Sequence, residues 1–220
     1  MKNLNQLLFN FENKKNFDID DFYVSKSNHY AFNIIDSWPK WEKNFLNICG
    51  DKYSGKTHLS SIFLKKFNGI RIDSHSFKDE NLKQLKVFQN IVLDNFDNDI
   101  DERLIYTLFN IIDQDNKYLV INSIDPINLI NFKLEDLKSR TKNCLFAKID
   151  KPDDELMFAL ILKNLSDRQI SLDKKLINYI IKRIDRSYSK IFDFIYKIDQ
   201  ISLKKNKSID LKIIKEALGE

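Results

Sequence analysis

Glycine and proline are scarce, with four and three in 220 residues, while Lys, Asn and Ile are abundant. That imbalance looks like an A/T-rich coding bias and carries no functional signal. Cysteine is nearly absent. Cys49 and Cys144 each sit inside an apolar run, which predicts two buried, unpaired thiols and excludes a disulfide scaffold. The three histidines, His29, His58 and His75, do not cluster with carboxylates or cysteines at metal-ligand spacing. No segment reaches the ~18 uninterrupted apolar residues of a membrane span. The N-terminus lacks the roughly 7–15-residue apolar core of a secretory signal. The expected location is therefore cytoplasmic. A strong excess of one charge is missing too: the net charge is +4, with lysines and acids interspersed. That permits contact with nucleic acid without arguing for it.

What is present is an ordinary globular composition, with length enough for one large domain or two small ones. Residues 1–17 read as a flexible polar tail interrupted by an apolar cluster. From Asp18 the pattern turns globular, with apolar residues at helical spacing (Tyr30, Ile34, Ile35, Trp38) until Pro39 breaks it. Trp38 and Trp41 are expected to pack as a hydrophobic latch at the domain edge, with an exposed partner patch as the alternative. Strand-like runs then fall at 45–49, 69–73, 90–94, 118–122 and 144–149. Helical patterns separate them, at 56–67, 79–88, 101–115 and 134–140. Short apolar strands alternating with helices predict a five-stranded parallel sheet covered on both faces, the α/β class. Beyond Pro152 no strand-like run remains. Helical patterns at 153–166, 173–184, 188–203 and 209–217 predict a small all-α unit. The expected division is a tail (1–17), an α/β core (18–151) and a helical lid (152–220).

Two of the four glycines, Gly50 and Gly55, fall in the stretch GDKYSGKT, a full match to G-x-x-x-x-G-K-[ST]. It follows a strand-like run and opens a helical one, the context such a loop requires. Backbone N–H groups of Gly50, Asp51, Lys52, Tyr53, Ser54 and Gly55 would wrap phosphates at a helix N-terminus. Lys56 would reach the β- and γ-phosphates, Thr57 would ligate Mg²⁺, and His58 follows directly in the first helical turn. The loop interior is bulkier and more acidic than such loops usually are.

A second element follows in NIVLDNFD (90–97). Asp94 ends a strand, where a carboxylate would complete the Mg²⁺ site with Thr57. Active ATPases usually place another acid next. Here that position is Asn95, which cannot act as a base. Binding of ATP or ADP with weak intrinsic hydrolysis is expected.

With these elements in order the chain resembles the AAA+ ATPases, and among them the DnaA group, over roughly residues 18–203. FYVSKSNHYA (22–31) is similar to the stretch that opens the DnaA nucleotide domain, so Tyr23 and Val24 would border the adenine. YLVINSIDP (118–126) occupies the sensor 1 strand, with Asn122 at its tip. In LEDLKSRTKNCLFAKIDKPDDELMFALILK (134–163), Ser139-Arg140 matches the arginine finger that reaches a neighbouring subunit's ATP. Read without the resemblance, Arg140 is a surface charge near a helix end. In the lid the family's sensor 2 arginine follows "RS" by three residues. After Arg186-Ser187 that place holds Lys190, which keeps the charge and loses the bidentate fork. The resemblance implies a P-loop AAA+ core followed by a small all-α lid.

The DNA-reading domain of DnaA would follow the lid, and the sequence given ends at Glu220. The likeness is therefore to the short DnaA homologues of the Hda family, and W-P-x-W before the phosphate loop is similar to their alphaproteobacterial forms. That family implies a regulator of replication initiation. It binds the DNA polymerase III sliding clamp, stimulates ATP hydrolysis on DnaA and so prevents re-initiation. QLLFNF (6–11) resembles the clamp-binding tail of that family, with Gln6 at the pocket rim, Leu7 and Phe9 as anchors and Phe11 as a further contact. Partners are then DnaA, the clamp and, as an open alternative, a second copy of the chain. No direct sequence-specific DNA binding and no membrane are implied. The competing reading is an autonomous DnaA-like ATPase or loader acting on DNA or a helicase. The basic run SLKKNKSIDLK (202–212) reads as a solvated helix junction.

Overall fold

A computed structural model describes residues 17–66 and 68–220. The tail residues Gln6, Leu7, Phe9 and Phe11 lie outside these. Five short apolar runs form strands: β1 (Phe45–Cys49), β2 (Gly69–Asp73), β3 (Asn90–Phe96), β4 (Tyr118–Ser123) and β5 (Leu145–Lys148). All neighbours are parallel, in the order β2-β3-β4-β1-β5. Every residue of β1 is buried, as are all but one of β3 and all but the first of β4. Central parallel strands are covered on both faces, which is why they read as continuous apolar runs rather than alternating ones.

Alternate side chains feed two cores. Phe45, Leu93, Leu119 and Ile121 pack under α4 (Glu102–Gln114), with Leu85 from α3 (Asp79–Leu85) and Leu137 from α5 (Glu135–Lys142). Leu46, Ile48, Val92, Val120 and Ala147 pack on the other face with α1 (His29–Ser37) and α2 (Lys56–Lys66). Trp38 and Trp41 pack at the edge of that second core, both rings against Phe63 and Tyr118. Trp41 Nε1 also donates to the Ile34 carbonyl at 2.6 Å, tying the segment after α1 back onto the helix. Cys49 and Cys144 are both free and buried.

Four helices follow the sheet: α6 (Asp154–Ser166), α7 (Lys174–Ile181), α8 (Tyr188–Lys205) and α9 (Leu211–Leu218). Three of them start on an aspartate that caps orphan N–H groups: Asp153 on Leu156, Asp173 on Lys175, and Asp210 on Lys212 and Ile213. α8 ends where Asn206 turns left-handed at φ 50°, and α9 where Gly219 does so at φ 83°. Ile161, Ile177, Ile195 and Ile214 belong to a third core of their own. Among the described residues no helix is long and apolar enough to cross a membrane.

Several elements differ from the sequence expectation in length, among them α7, which stops at Ile181 where a helix to 184 is expected. β3 runs two residues past Asp94, with a bulge between Leu93 and Phe96. α3 stops at Leu85, because buried Lys117 donates to the carbonyls of Lys86 and Phe88 at 3.1 and 2.9 Å and satisfies the chain there.

Candidate functional site

The loop from Gly50 to Gly55 joins β1 to the N-terminus of α2. Its backbone takes three positive φ values, at Gly50 (156°), Tyr53 (67°) and Gly55 (99°). A Cβ on Gly50 would stand 2.8 Å from the Ile149 carbonyl, and one on Gly55 3.1 Å from the Phe22 ring. Glycine is thus required at Gly50 by close approach as well as by conformation, and at Gly55 by its left-handed backbone. Tyr53 carries a side chain through the left-handed region, a strained choice. Its ring lies 5.2 Å from that of Phe192 on α8, so the loop touches the helical unit.

Lys56 points back into the loop and donates to the carbonyls of Gly50 (2.7 Å) and Asp51 (2.8 Å). Burial lowers its pKa, opposed by the charges of Asp94 and Asp51. Thr57 Oγ1 donates to Asp94 Oδ1 at 3.3 Å. Asn122 Nδ2 donates to the same oxygen at 3.1 Å and to Ser60 Oγ at 2.8 Å. Asp94 is 5% exposed and Asn122 fully buried. The tips of β1, β3 and β4 therefore bring Lys56, Thr57, Asp94 and Asn122 into one polar site. Asp51 and Lys52 are exposed, whereas Ser54 is buried with an unpartnered Oγ. Left-handed backbone, an N-terminal helix turn, a lysine and an unspent serine hydroxyl fit a polyphosphate. Thr57 and Asp94 fit an oxygen-preferring divalent cation.

His58 turns away, with Nε2 at 2.8 Å from the Asp18 carbonyl and its ring against Phe17 and Phe22; burial lowers its pKa. Tyr23 Oη donates to Glu155 Oε1 on α6 at 2.5 Å, and Val24 is exposed beside it. Lys190 is exposed in the first turn of α8, two residues before Phe192. Asn95 sits at φ 57° and donates through Nδ2 to the Asp73 carboxylate at the tip of β2.

Arg140 is held elsewhere. Its Nη1 lies 2.7 Å from Asp113 Oδ2 and its Nε 2.9 Å from Asp136 Oδ2, with the guanidinium over the Tyr106 ring. α5 leads into β5, whose first residue, Leu145, is level with Leu46 near the start of β1. The phosphate loop leaves the other end of β1. Arg140 and Lys56 therefore occupy opposite ends of a sheet about 16 Å deep.

Sequence reading misses the roles of three residues. Arg71 on β2 reaches the site with Ser60 and Ser61 of α2. A lone arginine inside the run GIRID is the available signal. Tyr188, fully withdrawn from solvent, donates to the Asp150 carbonyl at 2.9 Å, at the junction where the chain leaves the sheet for α6. Arg186 pairs with Asp154 at 2.7 Å across the same junction. Among the described residues no group of three His, Cys, Asp or Glu is placed to hold a metal by itself.

Comparison with known proteins adds to this geometry. Residues 153–218 match the family model of the Hda lid domain. The chain is 27% identical over 238 residues to the chromosomal replication initiator protein DnaA of Borrelia turicatae, covering 94% of this chain and 49% of that protein. It thus spans about half the length of that relative. An uncharacterized protein of Haemophilus influenzae is 27% identical over 221 residues, covering 91% of this chain and 95% of its own. In structure, domain III of the Thermotoga maritima replication initiation protein DnaA superposes with a TM-score of 0.73 at 21% identity, covering 92% of this chain and 95% of that one. DnaA bound to AMPPCP and single-stranded DNA superposes with a TM-score of 0.66 at 18% identity, over 86% and 68%.

Proposed function

We propose, from the premise that this chain is a DnaA-related AAA+ protein with an Hda-type lid, that it is a nucleotide-bound regulator of replication initiation. In this reading it is tethered to the DNA sliding clamp and stimulates ATP hydrolysis on DnaA by lending Arg140. The observation that carries it is the placement of Arg140 at the opposite end of the sheet from Lys56. An arginine so placed is out of reach of its own loop and available to a neighbour's.

Within the chain, Lys56 would exchange its two carbonyl partners for phosphate oxygens, and the loop N–H groups would hold the polyphosphate. Tyr23 and Val24 border the base, and Lys190 on α8 faces the phosphates from the lid. Thr57 and Asp94 would hold Mg²⁺, which would supply charge neutralisation for the polyphosphate. Asn122 fixes the Asp94 carboxylate. Asn95 has no basic lone pair to take a proton from water, so intrinsic turnover is slow. Tyr53, whose ring already meets Phe192 of α8, would keep the loop and the helical lid together around a bound nucleotide. Arg140 reaches a partner by leaving Asp113 and Asp136, two half-exposed carboxylates whose hold is weak.

Tethering falls to Gln6, Leu7, Phe9 and Phe11. A short apolar peptide binds weakly because its ordering costs free energy, and two tails on one ring raise the effective concentration. A second reading, an autonomous ATPase or loader, draws on the Asp73 carboxylate beside Asn95, a potential base. Hydrolysis of DnaA-bound ATP, followed with this protein and DNA-loaded clamp, tests the choice. Acceleration that vanishes without clamp supports the regulator. No acceleration, together with steady turnover by this protein alone, favours the autonomous enzyme.

A further inference from the structure

Arg71 is the one charged side chain in the middle of β2, between Ile70 and Ile72. Its Nη2 donates to the Thr57 carbonyl (3.1 Å), Ser60 Oγ (3.1 Å) and Ser61 Oγ (2.8 Å). Its Nε is buried without a hydrogen-bond partner and lies 3.7 Å from Asp94 Oδ2. Burial lowers the guanidinium's pKa and the Asp94 charge opposes that, yet arginine stays protonated in proteins. Asp94 is thus faced on both oxygens. Oδ1 accepts from Thr57, Asn122 and the Asn95 N–H, while Oδ2 faces Arg71.

A carboxylate serves a hard divalent cation through its negative charge and its free lone pairs. Here a fixed cation offsets the charge, and three donors use the lone pairs of one oxygen. The same guanidinium anchors the first turn of α2, so its positive charge lies just behind the phosphate loop. Ser60 joins the two halves of this network, because its Oγ also accepts from Asn122 at 2.8 Å.

We propose that Arg71 is a built-in counter-charge to Asp94, and that the site consequently retains a nucleoside diphosphate with little dependence on a divalent cation. Arg71 is a positioning residue: it acts through Asp94 and α2 and does not touch the nucleotide. The inference rests on the nucleotide-site reading above.

The test is equilibrium binding of a fluorescent ADP analogue to the full chain, in Mg²⁺ and in EDTA. It compares the wild type with Arg71→Gln, which keeps donors and loses charge, and Arg71→Lys, which keeps charge. Folding of each is checked by its melting transition. The expected wild-type change on chelation is less than about fivefold, whereas Arg71→Gln loses at least about tenfold and Arg71→Lys behaves as the wild type. A wild-type loss above about fivefold overturns the inference on the native chain alone, whatever the variants do. Equal metal dependence in wild type and Arg71→Gln overturns it as well. Absence of ADP binding in either buffer defeats the nucleotide reading, and the inference with it.

Discussion

The Arg140 guanidinium donates to Asp113 Oδ2 at 2.7 Å, joining the end of α5 to the end of α4 on the side of the sheet away from the phosphate loop. Both Asp113 and Asp136 are about half exposed (49% and 56%), so each pair is solvent-screened. Arg140→Ala is therefore expected to lower stability by no more than ~1 kcal/mol. Urea denaturation of the two proteins at matched ionic strength measures this. A loss several times larger would make Arg140 a structural strut.

Lys56→Ala should remove most nucleotide affinity, because charge-assisted hydrogen bonds to phosphate contribute about 1.5–3 kcal/mol. That corresponds to roughly a ten- to hundredfold weaker ADP complex by titration. The melting temperature without nucleotide should stay close to the wild type, since the lysine's two acceptors are loop carbonyls that water can satisfy.

Much of this arrangement is legible in the sequence. The five strands fall within two residues of their apolar runs, because each run is short and bounded by polar or turn-forming residues. The phosphate loop is legible because its demands are local. What escapes depends on partners distant in the chain. Lys117 ends α3 from 31 residues away, and Tyr23 meets Glu155 from 132. Arg71 is only a strand charge in the sequence; its aim at Asp94 exists once β2 lies beside β3. The bulge after Leu93, which turns Asn95 to φ 57° and its amide onto Asp73, likewise has no counterpart in apolar periodicity.

That bulge yields a further expectation. Asn95→Asp alone would set two carboxylates against each other, and the new side chain could bond Asp73 only if one of the two takes a proton. The exchange Asp73→Asn with Asn95→Asp moves the acid to the strand tip beside Asp94 and keeps the hydrogen bond. Intrinsic ATP turnover of the double variant should rise by at least about tenfold, since a placed base contributes roughly 10²–10⁴ in rate. Steady-state phosphate release measures it, and an unchanged rate would remove Asn95 from the explanation of slow hydrolysis.

Alkaline stability follows from buried acids, of which Cys144 and Tyr188 are shifted furthest. Burial pushes the Cys144 thiol from 9 up to about 12 and the Tyr188 hydroxyl from 10 up to about 12. Both folded values are raised, so their contribution is complete below the unfolded pKa and is lost as pH rises towards 12. The urea midpoint should hold level to pH 8.5 or so and fall from about pH 9 upward. Cys144→Ala with Tyr188→Phe should flatten that decline. A midpoint already falling between pH 7 and 8 would assign the effect to other groups.

The claim that Arg140 acts in trans is met most directly by single-turnover hydrolysis of ATP on DnaA. DNA-loaded clamp is present throughout, and wild-type chain is compared with Arg140→Ala at equal occupancy of the clamp. The wild type is expected to accelerate hydrolysis and Arg140→Ala to leave the rate within about twofold of DnaA alone, since a finger arginine supplies roughly 10³–10⁵ in rate. Equal acceleration by both proteins would contradict it.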